Sequence, residues 1–277
     1  MAKNRLDLLL LERGLAPTRE KARAMILAGE VRINGKCIDK PGTNVDDTCA
    51  LELLHTGSRY VSRGGHKLKK AIDDFKIDFT GKVVLDVGAS TGGYTDCSLQ
   101  HGAVKVYAVD VGYGQLDWSL RNDPRVTNIE RTNIRYFTLD ELGEPVDIVT
   151  IDVSFISTEK VFPVVKNLVK PEGHLLVLIK PQFEAGKNKV GKKGVVRDPA
   201  VHCEVLIRCM ELAGQQGLGC VDVTFSPITG PQGNIEFFLH LVNNAAMDPD
   251  LPRRIPDLVD RAHRELGGKK DIEDTAG

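Results

Sequence analysis

Four short apolar runs, spaced by stretches of helix length, constrain the fold of this 277-residue chain more than any other feature. They read VVLDV, VKVYAVD, DIVTID and HLLVLIK, and they begin at residues 83, 104, 147 and 174. Strands that are apolar along their whole length are typical of a parallel sheet covered by helices on both faces. The sequence therefore predicts a mostly parallel, doubly wound α/β sheet, which the later runs CVDVTFS and NIEFFLHLV complete.

The start of the chain predicts a separate, small α+β domain. The segment RLDLLLLERG places leucines on one face of a helix, and a second helix begins after Thr18. The following segment, VRINGK, predicts a β-hairpin that turns at Asn34 and Gly35. Two short helices and a hairpin make a domain with a marginal core.

The chain is thus expected to contain four segments. Residues 1–60 form the small domain, and residues 61–80 connect it to the sheet and include the first helix of the sheet domain. Residues 81–245 form the sheet domain, and residues 246–277 form a C-terminal tail with one helix near residues 255–266 and a frayed end.

The overall composition excludes several classes of protein. The net charge is −1, so any surface that binds nucleic acid must be local. The six cysteines are scattered without a C-x-x-C pair, which argues against a zinc site or a disulfide scaffold. No apolar run approaches the roughly 20 residues that a membrane span needs. We expect a cytoplasmic protein, monomeric or weakly dimeric, with no metal site and no membrane partner.

The segment VVLDVGASTGGYTD predicts a cofactor loop, because a buried strand runs into a turn of small residues and then a helix. A dinucleotide site would read G-x-G-x-x-G, but here a carboxylate, Asp86, precedes the glycines. That carboxylate would repel a pyrophosphate and suits a cofactor with cationic groups. The cofactor implied is S-adenosylmethionine, and the loop resembles the first motif of class I methyltransferases.

Two further residues are expected at the cofactor. Asp110 ends the next strand, where it can accept hydrogen bonds from both ribose hydroxyls. Asn133 follows the third strand and either flanks the adenine or is a simple turn asparagine. The predicted cofactor-binding residues are Asp86, Gly88, Ala89, Ser90, Thr91, Gly92, Gly93, Asp110, Asn133 and Asp152.

Four charged residues are expected at one edge of the sheet. Asp152 and Lys180 each directly follow a buried strand. Glu236 lies inside an apolar strand, where a charge needs a partner, and Lys67 lies in the helix before the first strand. An isolated lysine at a strand end is usually just solvated. Four charges that converge where open α/β sheets bind ligands instead predict a functional site.

Basic residues mark two segments as candidate RNA contacts. The first domain resembles the small S4-like RNA-binding domain, named after a ribosomal protein, and phosphate contacts are expected from its basic side chains. The segment AGKNKVGKKGVVRD follows the strand that ends at Lys180 and predicts a basic flap over the site. The predicted RNA-binding residues are Arg5, Arg19, Lys21, Arg23, Arg32, Lys36, Arg63, Lys187, Lys189, Lys192, Lys193 and Arg197.

Residues 3–243 resemble the TlyA family of RNA 2′-O-methyltransferases, which join an S4-like domain to an FtsJ-like catalytic domain. The resemblance rests on YVSRGGHKL, LDVGASTGGYTD, IDVSFIS, KPQFEAG, KKGVVRD and GPQGNIEFFL. It implies a class I, Rossmann-like fold and methylation of ribose in 16S or 23S ribosomal RNA, on cytidine. Relatives often have a glycine at the position of Lys193. The catalytic tetrad of that enzyme class falls on Lys67, Asp152, Lys180 and Glu236.

Two questions stay open at this stage. Lys180 is either a general base or a protonated group that steers the ribose hydroxyl, because a free lysine has a pKa of about 10.4 and needs a special environment to be neutral.

The function of the protein also has two alternatives. Members of this family are often labelled haemolysins, which predicts lysis of erythrocytes, and a non-catalytic ribosome assembly factor would bind no cofactor.

Overall fold

The computed structural model describes residues 3–16, 18–27, 29, 31–53, 60–191 and 194–267. The chain divides into two compact units, Met1–Arg63 and Gly64–Gly277. The boundary between them falls within the predicted connector, so its helix belongs to the second unit. The other predicted segment boundaries stay predictions.

The first unit combines two helices with two small sheets. Its helices are α1 (Leu6–Glu12) and α2 (Arg19–Leu27), and its strands are β1 (Lys3–Arg5), β2 (Val31–Ile33), β3 (Lys36–Cys37), β4 (Asn44–Asp46) and β5 (Leu51–Leu53). Strand β1 pairs with β4, and the other sheet has the order β3-β2-β5. The predicted hairpin turn is confirmed, since Asn34 and Gly35 both adopt positive φ angles of 48° and 81°.

The second unit is built on a seven-stranded sheet. Its strands are β6 (Val83–Val87), β7 (Lys105–Val109), β8 (Val126–Ile129), β9 (Val146–Ile151), β10 (Val169–Ile179), β11 (Leu218–Phe225) and β12 (Phe237–Asn243). The order is β11-β12-β10-β9-β6-β7-β8, and only the pairs that involve β12 are antiparallel. The predicted doubly wound, mostly parallel α/β sheet is therefore confirmed.

Eight helices accompany this sheet in the described part of the second unit. They are α3 (Gly64–Phe75), α4 (Gly93–Gln100), α5 (Trp118–Arg121), α6 (Leu139–Leu142), α7 (Phe162–Leu168), α8 (Pro181–Glu184), α9 (Pro199–Gln215) and α10 (Leu251–Leu266). Asp198 caps α9, because its side chain accepts a hydrogen bond from the amide of Ala200. Helix α10 begins four residues earlier than expected and buries an apolar face against the core.

The strand order determines where a ligand can approach. The chain passes from β6 outward through β7 to β8 and then crosses back to β9 on the other side of β6. Such a switch point opens a crevice at the carboxyl ends of the strands. Strand β12 runs antiparallel to β10, and the pairing of Ile179 with Phe237 puts the beginning of β12 at that same edge. Glu236 precedes β12, which corrects the prediction that it lies inside the strand.

Candidate active site

Lys180 and Asp152 form an ion pair at the carboxyl edge of the sheet. Lys180 directly follows β10 and Asp152 directly follows β9, and Lys180 Nζ lies 2.6 Å from Asp152 Oδ1. Both side chains are largely shielded, with 11% and 19% of their surface exposed. Because β9 and β10 are parallel neighbours, their ends present the two charges side by side.

Lys67 and Glu236 form a second, more deeply buried pair. Lys67 Nζ on α3 donates a hydrogen bond to Glu236 Oε2 at 2.6 Å, and the Glu236 side chain is 1% exposed. A carboxylate this deeply buried is tolerated because its charge is compensated directly. Pairing therefore explains how a charge is accommodated beside an apolar strand.

The sheet register brings the two pairs to one edge. Ile179 of β10 pairs with Phe237 of β12, so Lys180 and Glu236, each one residue further out, are neighbours there. The structure thus assembles all four charged residues that the sequence indicated, and it divides them into Lys180–Asp152 and Lys67–Glu236.

The cofactor loop packs directly against this edge. Gly88 has a φ of 86°, and a Cβ atom there would lie 2.5 Å from the backbone oxygen of Asp152. A Cβ on Gly92, which has a φ of 95°, would lie 2.3 Å from a methyl carbon of Leu120. Both positions require glycine, so that the loop can lie against Asp152 on one side and against an apolar layer on the other.

Asp86 supports the loop from below. It has no exposed surface, and its carboxyl group accepts hydrogen bonds from the hydroxyls of Thr95 at 2.7 Å and Thr150 at 3.0 Å. Burial raises the pKa of Asp86 to about 7, although the threonine hydrogen bonds oppose that rise. The carboxyl group of Asp86 is therefore a buried partner of two threonines, and its contact with the cofactor stays a prediction.

Asp110 lies at the end of β7 and organises the loops around it. Its two carboxylate oxygens accept hydrogen bonds from the amide of Ser90 at 2.8 Å and from the amide of Gly112 at 2.6 Å. The Asn133 side chain accepts a hydrogen bond from the amide of Arg135 and caps a short 3-10 helix. This contact matches the simple turn asparagine that the sequence left as an alternative, and the adenine contact stays a prediction.

The remaining predicted loop residues line the turn between β6 and α4. Ala89 is buried and Ser90 is exposed with a φ of 49°, whereas Thr91 is half-buried. The backbone oxygen of Thr91 accepts a hydrogen bond from the amide of Asp117, and Gly93 is the first residue of α4. The turn is thus held by its backbone, which leaves small side chains at its surface.

Tyr94, the second residue of α4, is a residue beside this loop that the sequence analysis missed. It is 3% exposed, and its hydroxyl oxygen is buried without a hydrogen-bond partner among the described residues. Burial, reinforced by the charges of Asp152 and Glu236, raises its pKa well above the usual value. A buried hydroxyl normally has a hydrogen-bond partner, so the Tyr94 hydroxyl has room for a contact with a ligand. Together with the glycine turn and the Asp110 carboxylate, it fits a polar, cationic ligand such as S-adenosylmethionine.

Comparison with known proteins identifies the family. The FtsJ-like methyltransferase family model matches residues 60–243, and the S4 domain model matches residues 4–48. The 16S/23S rRNA (cytidine-2′-O)-methyltransferase TlyA of Mycobacterium tuberculosis is 47% identical over 263 residues, covering 95% of this chain and 97% of that protein. The chain belongs to the TlyA family of FtsJ-like methyltransferases.

Two other relatives match over nearly the whole chain. YqxC of Bacillus subtilis is 50% identical over 273 residues, covering 97% of both proteins. The solved structure of a candidate hemolysin from Streptococcus thermophilus is 42% identical, with a TM-score of 0.78 and 99% coverage of both chains. In this TlyA-family chain, no helix within the described ranges is long and apolar enough to cross a membrane.

Beside the tetrad, this member of the TlyA family exposes an aromatic surface that the sequence analysis also missed. Phe155 is 90% exposed, and its ring lies 4.9 Å from the ring of Phe183. The two rings line a groove of about 520 Å³ that includes Gln182 and Val190. The available signal was the phenylalanine between two serines, Ser154 and Ser157, in the turn after Asp152. An exposed ring tilted against a half-buried one, close to the four charged residues, suits a nucleobase.

In the S4 domain of this TlyA-family protein, two predicted RNA-binding arginines have a structural partner. Asp7 is fully buried, and its carboxylate oxygens lie 3.0 Å from guanidinium nitrogens of both Arg5 and Arg19. The hydrogen bond from Arg5 contributes most to lowering the pKa of Asp7, which is about 2 although burial opposes the shift. Arg5 and Arg19 therefore hold α1 in place. This structural role is separate from the phosphate contacts predicted for them, which stay a prediction.

The other basic residues of the first unit are distributed over its surface. Arg23, Lys36 and Arg63 are exposed, and Arg32 is half-buried on β2. The side chain of Lys21 lies outside the described residues. These positions leave RNA contact by the S4 domain as a prediction.

The predicted flap is anchored at its end. Asn234 is fully buried; its side chain donates to the backbone oxygen of Gly194 at 2.9 Å and accepts from the amide of Val196 at 3.0 Å. Lys189 forms an ion pair with Glu204, and Arg197 is exposed. Lys192, Lys193 and the side chain of Lys187 lie outside the described residues. Asn234, two residues before Glu236, thus joins the flap to the tetrad edge.

Proposed function

We propose that this protein transfers a methyl group from S-adenosylmethionine to the 2′-hydroxyl of a cytidine in ribosomal RNA. The observation that carries the proposal is the pairing of Lys180 with Asp152 beside the buried Lys67–Glu236 pair. Two fixed ammonium groups at one edge of the sheet suit a reaction whose acceptor must lose a proton. A ribosomal substrate implies action in the cytoplasm.

The loop between β6 and α4 is the proposed binding site of the cofactor. Its small side chains leave room for the methionine portion beside the first amides of α4, and the Asp110 carboxylate accepts hydrogen bonds from the ribose hydroxyls. Each Asp110 oxygen already binds one amide, and each retains a second acceptor position. When bound, S-adenosylmethionine supplies a methyl group on a positively charged sulfur.

Lys180 acts on the ribose hydroxyl. A hydroxyl is a weak nucleophile until its proton leaves, so a group that accepts or directs that proton accelerates the attack. Asp152 orients Lys180, while Glu236 fixes Lys67, whose positive charge lies at the same edge. Whether Lys180 takes the proton or directs it to water is the point on which the two mechanisms differ.

The RNA is bound by three parts of the chain in this proposal. The S4 domain and the flap neutralise phosphates, which supplies affinity that depends strongly on salt. Phe155 and Phe183 stack on a base that has left its helix, since the ribose of a stacked, paired nucleotide is hard to reach. The 16S/23S specificity in the name of the M. tuberculosis relative makes both ribosomal subunits substrates to test.

Tritium transfer from labelled S-adenosylmethionine into isolated ribosomal subunits tests the function. We expect incorporation that resists base hydrolysis at one or a few riboses, and we expect Lys180→Ala to reduce it by about 10²- to 10⁴-fold. Calorimetry should show that the same variant still binds S-adenosylhomocysteine. Absence of incorporation into either subunit by the wild-type protein would overturn the proposal.

Lys170→Ala is the matched control. Lys170 lies near the start of β10, whereas Lys180 follows its end. Lys170 Nζ lies 2.7 Å from Asp147 Oδ1, at the opposite end of the same two strands. Removing that pair tests the loss of a lysine–aspartate contact between β10 and β9 without touching the proposed site. We expect its activity to equal that of the wild type.

A further inference from the structure

Lys180 contacts a second residue that lies outside the tetrad. Its Nζ donates a hydrogen bond to the Ser154 hydroxyl oxygen at 2.8 Å, in addition to the ion pair with Asp152 at 2.6 Å. A lysine ammonium carries three N–H bonds. Within the described ranges these two residues are its polar contacts, so one N–H direction is left for a substrate.

The turn that carries Ser154 is fixed from beneath. Glu184 on α8 is 4% exposed, and its carboxylate accepts hydrogen bonds from the amide of Thr158 at 2.8 Å and from the hydroxyl of Ser157 at 2.9 Å. Helix α8 begins directly after Lys180. The segment after Asp152 and the segment after Lys180 are thus tied together by a buried carboxylate, and charge-assisted hydrogen bonds of this kind are strong.

The backbone next to Ser154 is strained. Phe155 has a φ of 63°, a left-handed conformation that is unusual for a bulky residue without a polar side chain. Such strain persists only where the surroundings enforce it, and it clusters at functional sites. Here the turn lets Ser154 contact Lys180 while the Phe155 ring stays 90% exposed.

We propose that Ser154 is a positioning residue, which together with Asp152 fixes Lys180 so that its remaining bond direction faces the ribose hydroxyl. This inference rests on the proposed function and adds a fifth residue to the site. Asp152 alone would leave the ammonium group free to rotate about that contact. A second acceptor two residues after Asp152 removes this freedom, and misorientation of a catalytic group lowers the rate without weakening substrate binding.

Steady-state kinetics provide the first test. Ser154→Ala should lower kcat for methyl transfer about tenfold, and leave the KM for ribosomal subunits and the Kd for S-adenosylhomocysteine within about twofold. Ser154→Thr, which keeps the hydroxyl, should recover most of the rate. Ser119→Ala is the control, because Ser119 is an exposed serine whose hydroxyl donates to Asp117. A normal kcat in Ser154→Ala, or a change confined to KM, would overturn the proposal.

A second test does not depend on activity. Nitrogen-15 NMR detects lysine ammonium groups whose proton exchange is slowed by hydrogen bonds, and the Lys180→Arg variant assigns the signal of Lys180. We expect that signal in the wild type and its broadening in Ser154→Ala. An identical signal in both proteins would refute the contact. If the wild type methylates no RNA, the proposed function fails, and this comparison still decides the role of Ser154.

Discussion

Lys67 Nζ lies 2.6 Å from Glu236 Oε2, and this ion pair joins helix α3 to the residue that precedes β12. The two residues are 169 positions apart in the chain, and the glutamate is almost completely buried. The pair therefore has two separable effects, one on the stability of the second unit and one on the charge next to Lys180.

The stability effect predicts a specific pattern in three variants. Lys67→Met leaves Glu236 as an unpaired buried charge, which should lower the unfolding free energy by about 3 kcal/mol. Glu236→Gln alone should cost less, because Lys67 is 11% exposed and reaches water more easily. The double variant should recover much of the stability lost in Lys67→Met, since no buried charge remains.

Thermal and denaturant unfolding measure these changes, and methyl transfer is measured in parallel. We expect all three variants to be inactive, because each lacks the charge of Lys67, of Glu236 or of both. Recovery of stability in the double variant does not restore these charges. Glutamine is the right replacement, since a Cβ on Gly230 would lie 2.7 Å from Glu236 Oε1 and the site has no space for a bulkier shape. Activity in the stable double variant would remove the pair from the mechanism.

Phe155 gives a second prediction, in which stability and RNA binding separate. Both Phe155→Ala and Phe155→Gly remove the ring, so each should raise the KM for ribosomal subunits about tenfold, since stacking contributes roughly 1–3 kcal/mol per base. Only glycine relieves the φ of 63°, so the glycine variant should be more stable than the alanine variant by about 1 kcal/mol.

The two measurements have distinct consequences. Equal KM values for the variants and the wild type would show that no base stacks on Phe155. Equal stability of the alanine and glycine variants would show that the left-handed turn is not enforced. Binding of S-adenosylhomocysteine serves as the control and should be the same in all three proteins.

The sequence predicted the sheet and the edge where the charges gather, because both follow from apolar runs and from the direction of parallel strands. It could not predict which lysine pairs with which carboxylate, since that depends on β9 lying beside β10 and on the position of α3. The sequence indicated Asp86 as a cofactor-binding residue because it precedes the glycines of the loop. Its threonine partners come from α4 and β9, and only the folded sheet reveals them.

The pKa of Asp86 gives a third prediction, in which stability depends on pH. Burial raises this pKa from its ordinary value of 3.8 to about 7. Between these values the unfolded chain is ionised and the folded chain is protonated, so folding binds a proton and stability falls as pH rises. Above about pH 7 both states are ionised and the loss is complete.

Asp86→Asn isolates this effect, because asparagine cannot ionise. The unfolding free energy of the variant minus that of the wild type should grow from about pH 4 to pH 7, by at most about 1.4 kcal/mol per pH unit, and then stay constant. The comparison cancels His202 and His240, whose pKa values burial lowers to about 4 and which act in the opposite direction. A difference that is independent of pH would mean that Asp86 is ionised throughout.

The first unit gives a fourth prediction, which contrasts two arginines one helical turn apart. Arg19 lies 3.0 Å from the buried carboxylate of Asp7, whereas Arg23 is exposed. Arg19→Ala should therefore speed hydrogen exchange across α1 and α2, because Asp7 keeps only Arg5 as a partner. Arg23→Ala should leave exchange unchanged and, if it contacts a phosphate, should reduce the slope of log affinity against log salt by about one.

Hydrogen-exchange mass spectrometry and RNA-binding titrations at several salt concentrations separate the two roles in the full chain. Arg19→Lys serves as a control, since it keeps the charge but loses the planar group that contacts Asp7. It should retain most of the salt dependence and still exchange faster than the wild type. If Arg19→Ala and Arg23→Ala have the same exchange pattern, Asp7 does not hold α1 through Arg19.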